Sequence, residues 1–135
     1  MITAVDTNVL VDILRADPHF GPSALDALRR CTQEGRVVAC DVVWAELTAF
    51  FPSKKSFEDA LTDLPIVFSP VDLTAATLTG EMWRQYHGEG GDRRRVIADF
   101  LIGAHAMTQA DRLLTRDHGF YRKYFKKLQV LEPSS

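Results

Sequence analysis

The sequence predicts an α/β fold: a parallel sheet of four to five strands with helices on both faces. Three observations carry this. Short, β-branched apolar runs alternate with longer segments of helical periodicity. The connections between them are brief, as in chains that return to a parallel sheet through helices. The first apolar run ends on an acid, Asp6, as suits a buried strand whose carboxyl end opens on a site.

Each element can be justified in turn. Ile2–Val5 is a short apolar run fit for a buried strand. Asp6 or Thr7 can cap the helix that follows, whose stripe is Val9, Leu10, Ile13 and Leu14. Asp17, Pro18 and Gly21-Pro22 interrupt it; Leu25, Leu28 and Cys31 mark a second helix that stops near Gly35. Val37–Cys40 is a second strand. Asp41 caps a third helix over Val42–Phe50, which Pro52 closes. Ser53 caps a fourth, carrying Phe57, Leu61 and Leu64, and Pro65 ends it. Ile66–Phe68 is a third strand. Ser69-Pro70-Val71-Asp72 reads as a helix start, with Ser as the cap and Pro in the first helical position. Ala75, Leu78, Met82 and Tyr86 then line one face down to Gly88. The stretch 88–92 is polar and contains three Gly. Val96–Thr108 is helical, and its small central residues, Gly103-Ala104 and Ala106, let a helix approach a sheet closely. Arg112–Thr115 is a fourth strand, Arg116–Phe120 a loop, Tyr121–Phe125 a helical turn and Leu128–Leu131 the last strand.

Composition narrows the class. A chain of 135 residues, 46% hydrophobic and 25% charged, is expected to form one domain over 1–135 with a real core. Eight Gly and six Pro are too few for a collagen or a Pro/Gly-rich disordered chain. Cys31 and Cys40 do not make a disulfide scaffold and read as small buried hydrophobes. No apolar run reaches the roughly 18 residues of a membrane helix. Met1 to Asp12 lacks the basic region of a signal peptide, so a cytoplasmic location without membrane contact is expected. The net charge of -2 hides an asymmetry: residues 93–127 hold nine basic side chains against three acidic ones, one basic edge on a nearly neutral protein.

Four acids fall where such a fold places its ligands. Asp6 ends the first strand, Asp117 lies just beyond the fourth, Glu46 sits in the helix after the second, and Asp99 lies near the start of the helix before the fourth. Glu46 and Asp99 stand among apolar neighbours, where an unpaired acid is costly to bury. Such acids either face water or meet something positive. Carboxylates gathered side by side cannot all stay ionised without a cation. Oxygen-only ligands suit Mg²⁺ or Mn²⁺, and the chemistry such a set serves best is phosphodiester hydrolysis. Other machinery is missing from the sequence: there is no G-x-S-x-G, no phosphate-binding Gly-rich loop, and no zinc-like spacing among His19, His87, His105 and His118.

Four blocks in order then carry a resemblance: Val5-Asp6-Thr7-Asn8-Val9-Leu10; Val43-Trp44-Ala45-Glu46-Leu47; Ile97-Ala98-Asp99-Phe100-Leu101-Ile102-Gly103-Ala104-His105-Ala106; and Leu113-Leu114-Thr115-Arg116-Asp117-His118-Gly119-Phe120. The chain closely resembles the PIN-domain family, and within it the VapC-like toxin ribonucleases of toxin–antitoxin pairs. The resemblance implies a three-layer α/β/α domain around a parallel sheet and an endoribonuclease dependent on Mg²⁺ or Mn²⁺. The family's carboxylates map onto Asp6, Glu46, Asp99 and Asp117 as metal ligands and catalytic groups. Asp117 is a direct ligand, a ligand of a second metal, or a group that orients the attacking water. Asn8 and Thr115 are candidates to hold carboxylates or a metal-bound water in place. Arg93, Arg94, Arg95 and Arg116 are candidates for RNA phosphate contacts. Phe100 departs from the smaller residue usual after the family's Asp.

The resemblance further implies a cognate small antitoxin, VapB-like, expected across the helices of Pro18–Gly35 and Ser53–Leu64, an RNA substrate, and a homodimer within a larger complex. Asp12, six residues past Asp6, cannot be assumed to share its face and is left outside the site. Three rival readings differ in single features. A binding-only PIN-like module would have lost a carboxylate, and none is lost. A haloacid-dehalogenase-like phosphatase needs an acid at position 8, where Asn8 stands. A DNA-directed nuclease of the same fold is disfavoured by the lack of long insertions.

Overall fold

The computed structural model describes residues 1–90 and 97–133. The elements run β1 (Ile2–Val5), α1 (Thr7–Leu14), α2 (Gly21–Glu34), β2 (Arg36–Ala39), α3 (Asp41–Phe50), α4 (Lys54–Leu61), β3 (Ile66–Phe68), α5 (Leu73–Gly88), α6 (Ile97–Gln109), β4 (Arg112–Leu114), α7 (His118–Tyr124) and β5 (Gln129–Leu131). The strands form one sheet in the order β3-β2-β1-β4-β5, and every pairing is parallel. Helices cover both faces, giving the expected α/β/α layering around five strands. Parallel pairing demands this cover, because both faces of each central strand must be dry. Thr3 to Val5, Val37 to Ala39 and Leu113 to Leu114 are accordingly buried.

The core is apolar and continuous. Val9, Leu10, Ala24, Leu28, Val43 and Leu47 pack one side; Phe100, Ile102, Ala104, Phe120, Tyr121 and Phe125 pack the other. Gly103 explains the run of small residues in α6. A Cβ there would lie 2.5 Å from the Phe125 ring, so only glycine lets α6 and the end of α7 close together. Phe100 is fully buried and touches the rings of Trp83, Tyr86, Phe120, Tyr124 and Phe125. Cys31 and Cys40 are free and buried, as their apolar settings suggest.

Three local expectations change. Helix α5 begins at Leu73 with Asp72 as its cap, accepting from the Ala75 N–H at 2.9 Å. Ser69 is not the cap because its hydroxyl is taken by His105 Nε2 at 3.0 Å. Cys40, not Asp41, occupies the cap position of α3, and Asp41 instead accepts the Val71 N–H at 3.2 Å, tying the β3–α5 connection to α3. Helix α7 starts at His118, three residues before the expected Tyr121, so Asp117 sits at its N-terminus rather than within a loop. Among the described residues no helix is long and apolar enough to cross a membrane.

Candidate active site

Strand order turns back on itself between β1 and β4, and the crevice beyond their carboxyl ends is the natural ligand position in such sheets. Asp6 enters it directly from β1. Its backbone N–H donates to the Leu114 carbonyl at 2.9 Å, so the sheet itself fixes the residue. Its carboxylate accepts the Thr7 N–H at 2.7 Å and caps α1, where the helix dipole favours an anion. Thr115, fully buried just past β4, donates its hydroxyl to Asp6 Oδ2 at 2.8 Å and accepts the Asp117 N–H at 3.0 Å. One hydroxyl thus joins the acid of β1 to the acid beyond β4. Asn8 makes longer amide contacts, 3.4 Å to Asp6 Oδ2 and 3.3 Å to Thr115 Oγ1, and its carbonyl accepts the Arg116 N–H at 3.2 Å.

The remaining acids approach from the helices. Glu46 is exposed on α3 and accepts the Thr7 hydroxyl at 2.7 Å. Asp99 is half-buried in the first turn of α6, and Asp117 is half-buried at the head of α7. Tyr121 brings them into one electrostatic neighbourhood, and the sequence reading missed it. It is 1% exposed and close enough to Asp6 for each to act on the other's proton affinity. Burial pushes its phenol well above the ordinary value, and the charges of Asp6, Asp99 and Asp117 push it the same way. One signal could have found it: Tyr121 lies four residues after Asp117, one turn along the same helix.

Asp6 bears the cost of this crowding. Burial pushes its carboxyl up from 3.8 to about 6, with Glu46 adding to the rise; the hydrogen bonds of Thr115 and Thr7, and the nearby Tyr121 phenol, pull the other way. The folded protein therefore binds more protons than the unfolded chain between those values, and stability falls as pH rises through that window. Asp6→Asn removes the effect. It is expected to stabilise the metal-free protein by about 1–3 kcal/mol near pH 7 and by almost nothing near pH 4. Thermal melts at the two pH values check this, and a variant less stable than wild type near pH 7 would refute it.

The sequence profile of the PIN domain matches residues 3–126. The chain belongs to the PIN-domain family. Solved structures agree on the fold. A chain of VapBC2 from Rickettsia felis, solved bound to a DNA fragment from its promoter, aligns with a TM-score of 0.78 at 19% identity, over 99% of this chain and 100% of that one. FitAcB from Neisseria gonorrhoeae gives 0.71 at 22%, with 98% of both chains covered. A toxin–antitoxin complex from Klebsiella pneumoniae gives 0.66 at 18%, again over 98% of both. No curated protein matches the chain.

In this PIN domain the acids share a neighbourhood without forming the expected cage. Among the described residues, no three His, Cys, Asp or Glu side chains are grouped so as to hold a metal ion. Asp6 accepts from Thr7, Thr115 and Asn8, Glu46 leans on the Thr7 hydroxyl, and ionised carboxylates repel one another. The donor chemistry still suits a hard divalent cation. The groups are carboxylate oxygens, and a cation would relieve the unfavourable burial of negative charge at Asp6.

The basic candidates divide. Arg93, Arg94 and Arg95 lie outside the described residues. Arg116 is already engaged: Nε and Nη2 reach Asp12 at 2.6 and 3.1 Å, and the guanidinium lies 4.1 Å over the Phe20 ring. Asp12 is thus a buried ion-pair partner that holds the Thr115–Asp117 segment against α1, a role the sequence reading did not assign. Its signal was an acid set inside the apolar stripe of α1. His118 pairs through Nδ1 with Glu132.

Proposed function

We propose that this PIN domain is a divalent-metal-dependent endoribonuclease and the toxin of a VapBC-type pair, kept inactive by a small VapB-like antitoxin. The observation that carries the reading is the chain of contacts that links three of the acids: Thr115 donates to Asp6 and accepts the Asp117 N–H, and Thr7, whose N–H binds Asp6, donates its hydroxyl to Glu46. Asp6, Glu46 and Asp99 would hold Mg²⁺ or Mn²⁺, and Asp117 would complete the set. The cation supplies Lewis acidity at the phosphodiester and a water of lowered pKa. Thr115 holds Asp6 and the head of α7 in register, and Asn8 braces Thr115. Hydrolysis by water leaves a 5′-phosphate and a 3′-hydroxyl. Attack by the 2′-hydroxyl would call for a His base: His105 is instead buried against Ser69, and its pKa is lowered by that burial.

The antitoxin half of the reading rests on the likeness to a chain of a toxin–antitoxin complex. It also rests on an apolar cleft of about 580 Å³ lined by Trp44, Phe57, Leu61 and Ile66, on the α4 side where antitoxin cover is expected. The test is direct. Purified protein should cut single-stranded RNA in Mg²⁺ or Mn²⁺, stop in EDTA, and leave ends that a 5′-phosphate-dependent exonuclease degrades. Expression should arrest growth, and co-expression with the adjacently encoded small protein should restore it. Cutting that persists in EDTA would overturn the metal-dependent reading, and harmless overproduction alone would overturn the toxin reading.

A further inference from the structure

A second feature of the surface has no role so far. Helices α5, α6 and α7 enclose a cleft of about 400 Å³, within the range of about 300–1,000 Å³ typical of small-ligand sites. Its floor is aromatic: Phe100 and Tyr86 are buried, and Tyr124 is half-buried with its ring 5.2 Å from Tyr86 and 6.0 Å from Phe100. Its rim is cationic. Lys123, Lys126 and Lys127 all line it and are exposed. Among the described residues none of these lysines forms a salt bridge, and Lys123 Nζ lies 5.3 Å over the Tyr124 ring. Glu89 also faces the cleft, but it accepts from Gln85 at 3.2 Å.

The cleft is linked to the site along two helices. Phe100 follows Asp99 in α6, so the residue that breaks the family's pattern begins the floor where the acid ends. Tyr124 lies three residues after Tyr121, one turn along α7 and on nearly the same face. A partly exposed ring, Tyr124, set among three exposed cations about two turns along α7 from Asp117, is what a single-stranded nucleic acid needs: a ring for a base, ammonium groups for phosphates.

Resting on the nuclease reading above, we infer that the α5–α6–α7 cleft binds the single-stranded RNA segment flanking the cut bond, with its base against Tyr124 and its phosphates on Lys123, Lys126 and Lys127. By sequence alone these lysines are outlying candidates for phosphate contacts and read more readily as general surface charge. The cleft would give the enzyme grip on an unpaired segment and make cutting sensitive to loop shape.

The test uses fluorescence anisotropy of a labelled single-stranded oligoribonucleotide with the full chain in EDTA, where nothing is cut. Lys123→Gln, Lys126→Gln and Lys127→Gln together alter only exposed positions and should leave the fold intact. The triple variant is expected to bind about 10-fold or more weakly at low salt. Its log–log salt slope should be shallower by about 2, the loss of three phosphate contacts on a single strand. In Mg²⁺ it should raise KM more than it lowers kcat. Tyr124→Ala should weaken binding about 5- to 100-fold, and Tyr124→Phe should bind like wild type. Unchanged affinity and slope in the triple variant would overturn the inference. So would normal RNA binding together with lost binding of the adjacently encoded protein, which would make the cleft a protein interface. The two readings can fail separately. RNA binding that depends on the lysines without any metal-dependent cutting leaves the cleft standing and sinks the nuclease. Cutting with binding and KM indifferent to the lysines does the reverse.

Discussion

Asp99→Asn is expected to lower RNA cleavage by several orders of magnitude while leaving the protein folded. Asp99 sits in the first turn of α6, close enough to Tyr121 to raise the phenol's pKa. The swap preserves size and removes one charge. Two explanations of this acid then separate. If Asp99 only stabilises the helix start, Asn serves about as well and little changes. If it holds a divalent cation, the remaining carboxylates lose an anionic partner for the metal and with it the activated water. Stability without metal should hold or rise slightly, because one member of a repelling set is gone. Calorimetric Mn²⁺ titration should show weaker binding, antitoxin binding should persist, and growth arrest should disappear. Near wild-type cutting in saturating Mg²⁺ would remove Asp99 from the site.

The largest effect on stability is expected from Arg116→Ala. Asp12 is 4% exposed and meets the guanidinium through two contacts. Removing the arginine leaves a largely buried carboxylate without its counter-ion. Breaking a buried pair this way costs about 3–5 kcal/mol, and the partial exposure of Arg116 reduces that to about 2–3 kcal/mol. For a chain of this size the loss corresponds to a Tm lower by about 6–12 °C. The reciprocal change, Asp12→Ala, should cost less, because the arginine can turn towards solvent while keeping its stacking on Phe20. Chemical denaturation of both single variants and the double variant measures the asymmetry and the coupling. Equal losses from the two single changes would show that the pair is not buried in the sense described.

Much of this was legible in the sequence. β-branched runs closed by acids, breakers between helical stripes, and Ser53 before its helix are local signals, so the strand order in the chain and most helices could be written down beforehand. Helix starts were read less well wherever two side chains compete for one role. Ser69 had every local mark of a cap, but His105, thirty-six positions away, takes its hydroxyl, and Asp72 caps instead. Helix α7 begins earlier than its pattern suggests because Asp117 is already held by Thr115 at the end of the sheet.

The sequence by itself determined the α/β class and which acids lie past strand ends or at helix starts, because periodicity and chain order are properties of neighbours. Only the tertiary structure decided which side chains meet. Arg116 finds Asp12 across 104 positions, and Thr115 finds Asp6 across 109. Tyr121, a plain member of a short helix in the sequence, becomes the buried centre on which the charges of three acids fall. The physical reason is that burial and Coulomb interaction act through space. A carboxylate's neighbours and proton affinity are set when the sheet has folded and water has been excluded, which no local pattern encodes.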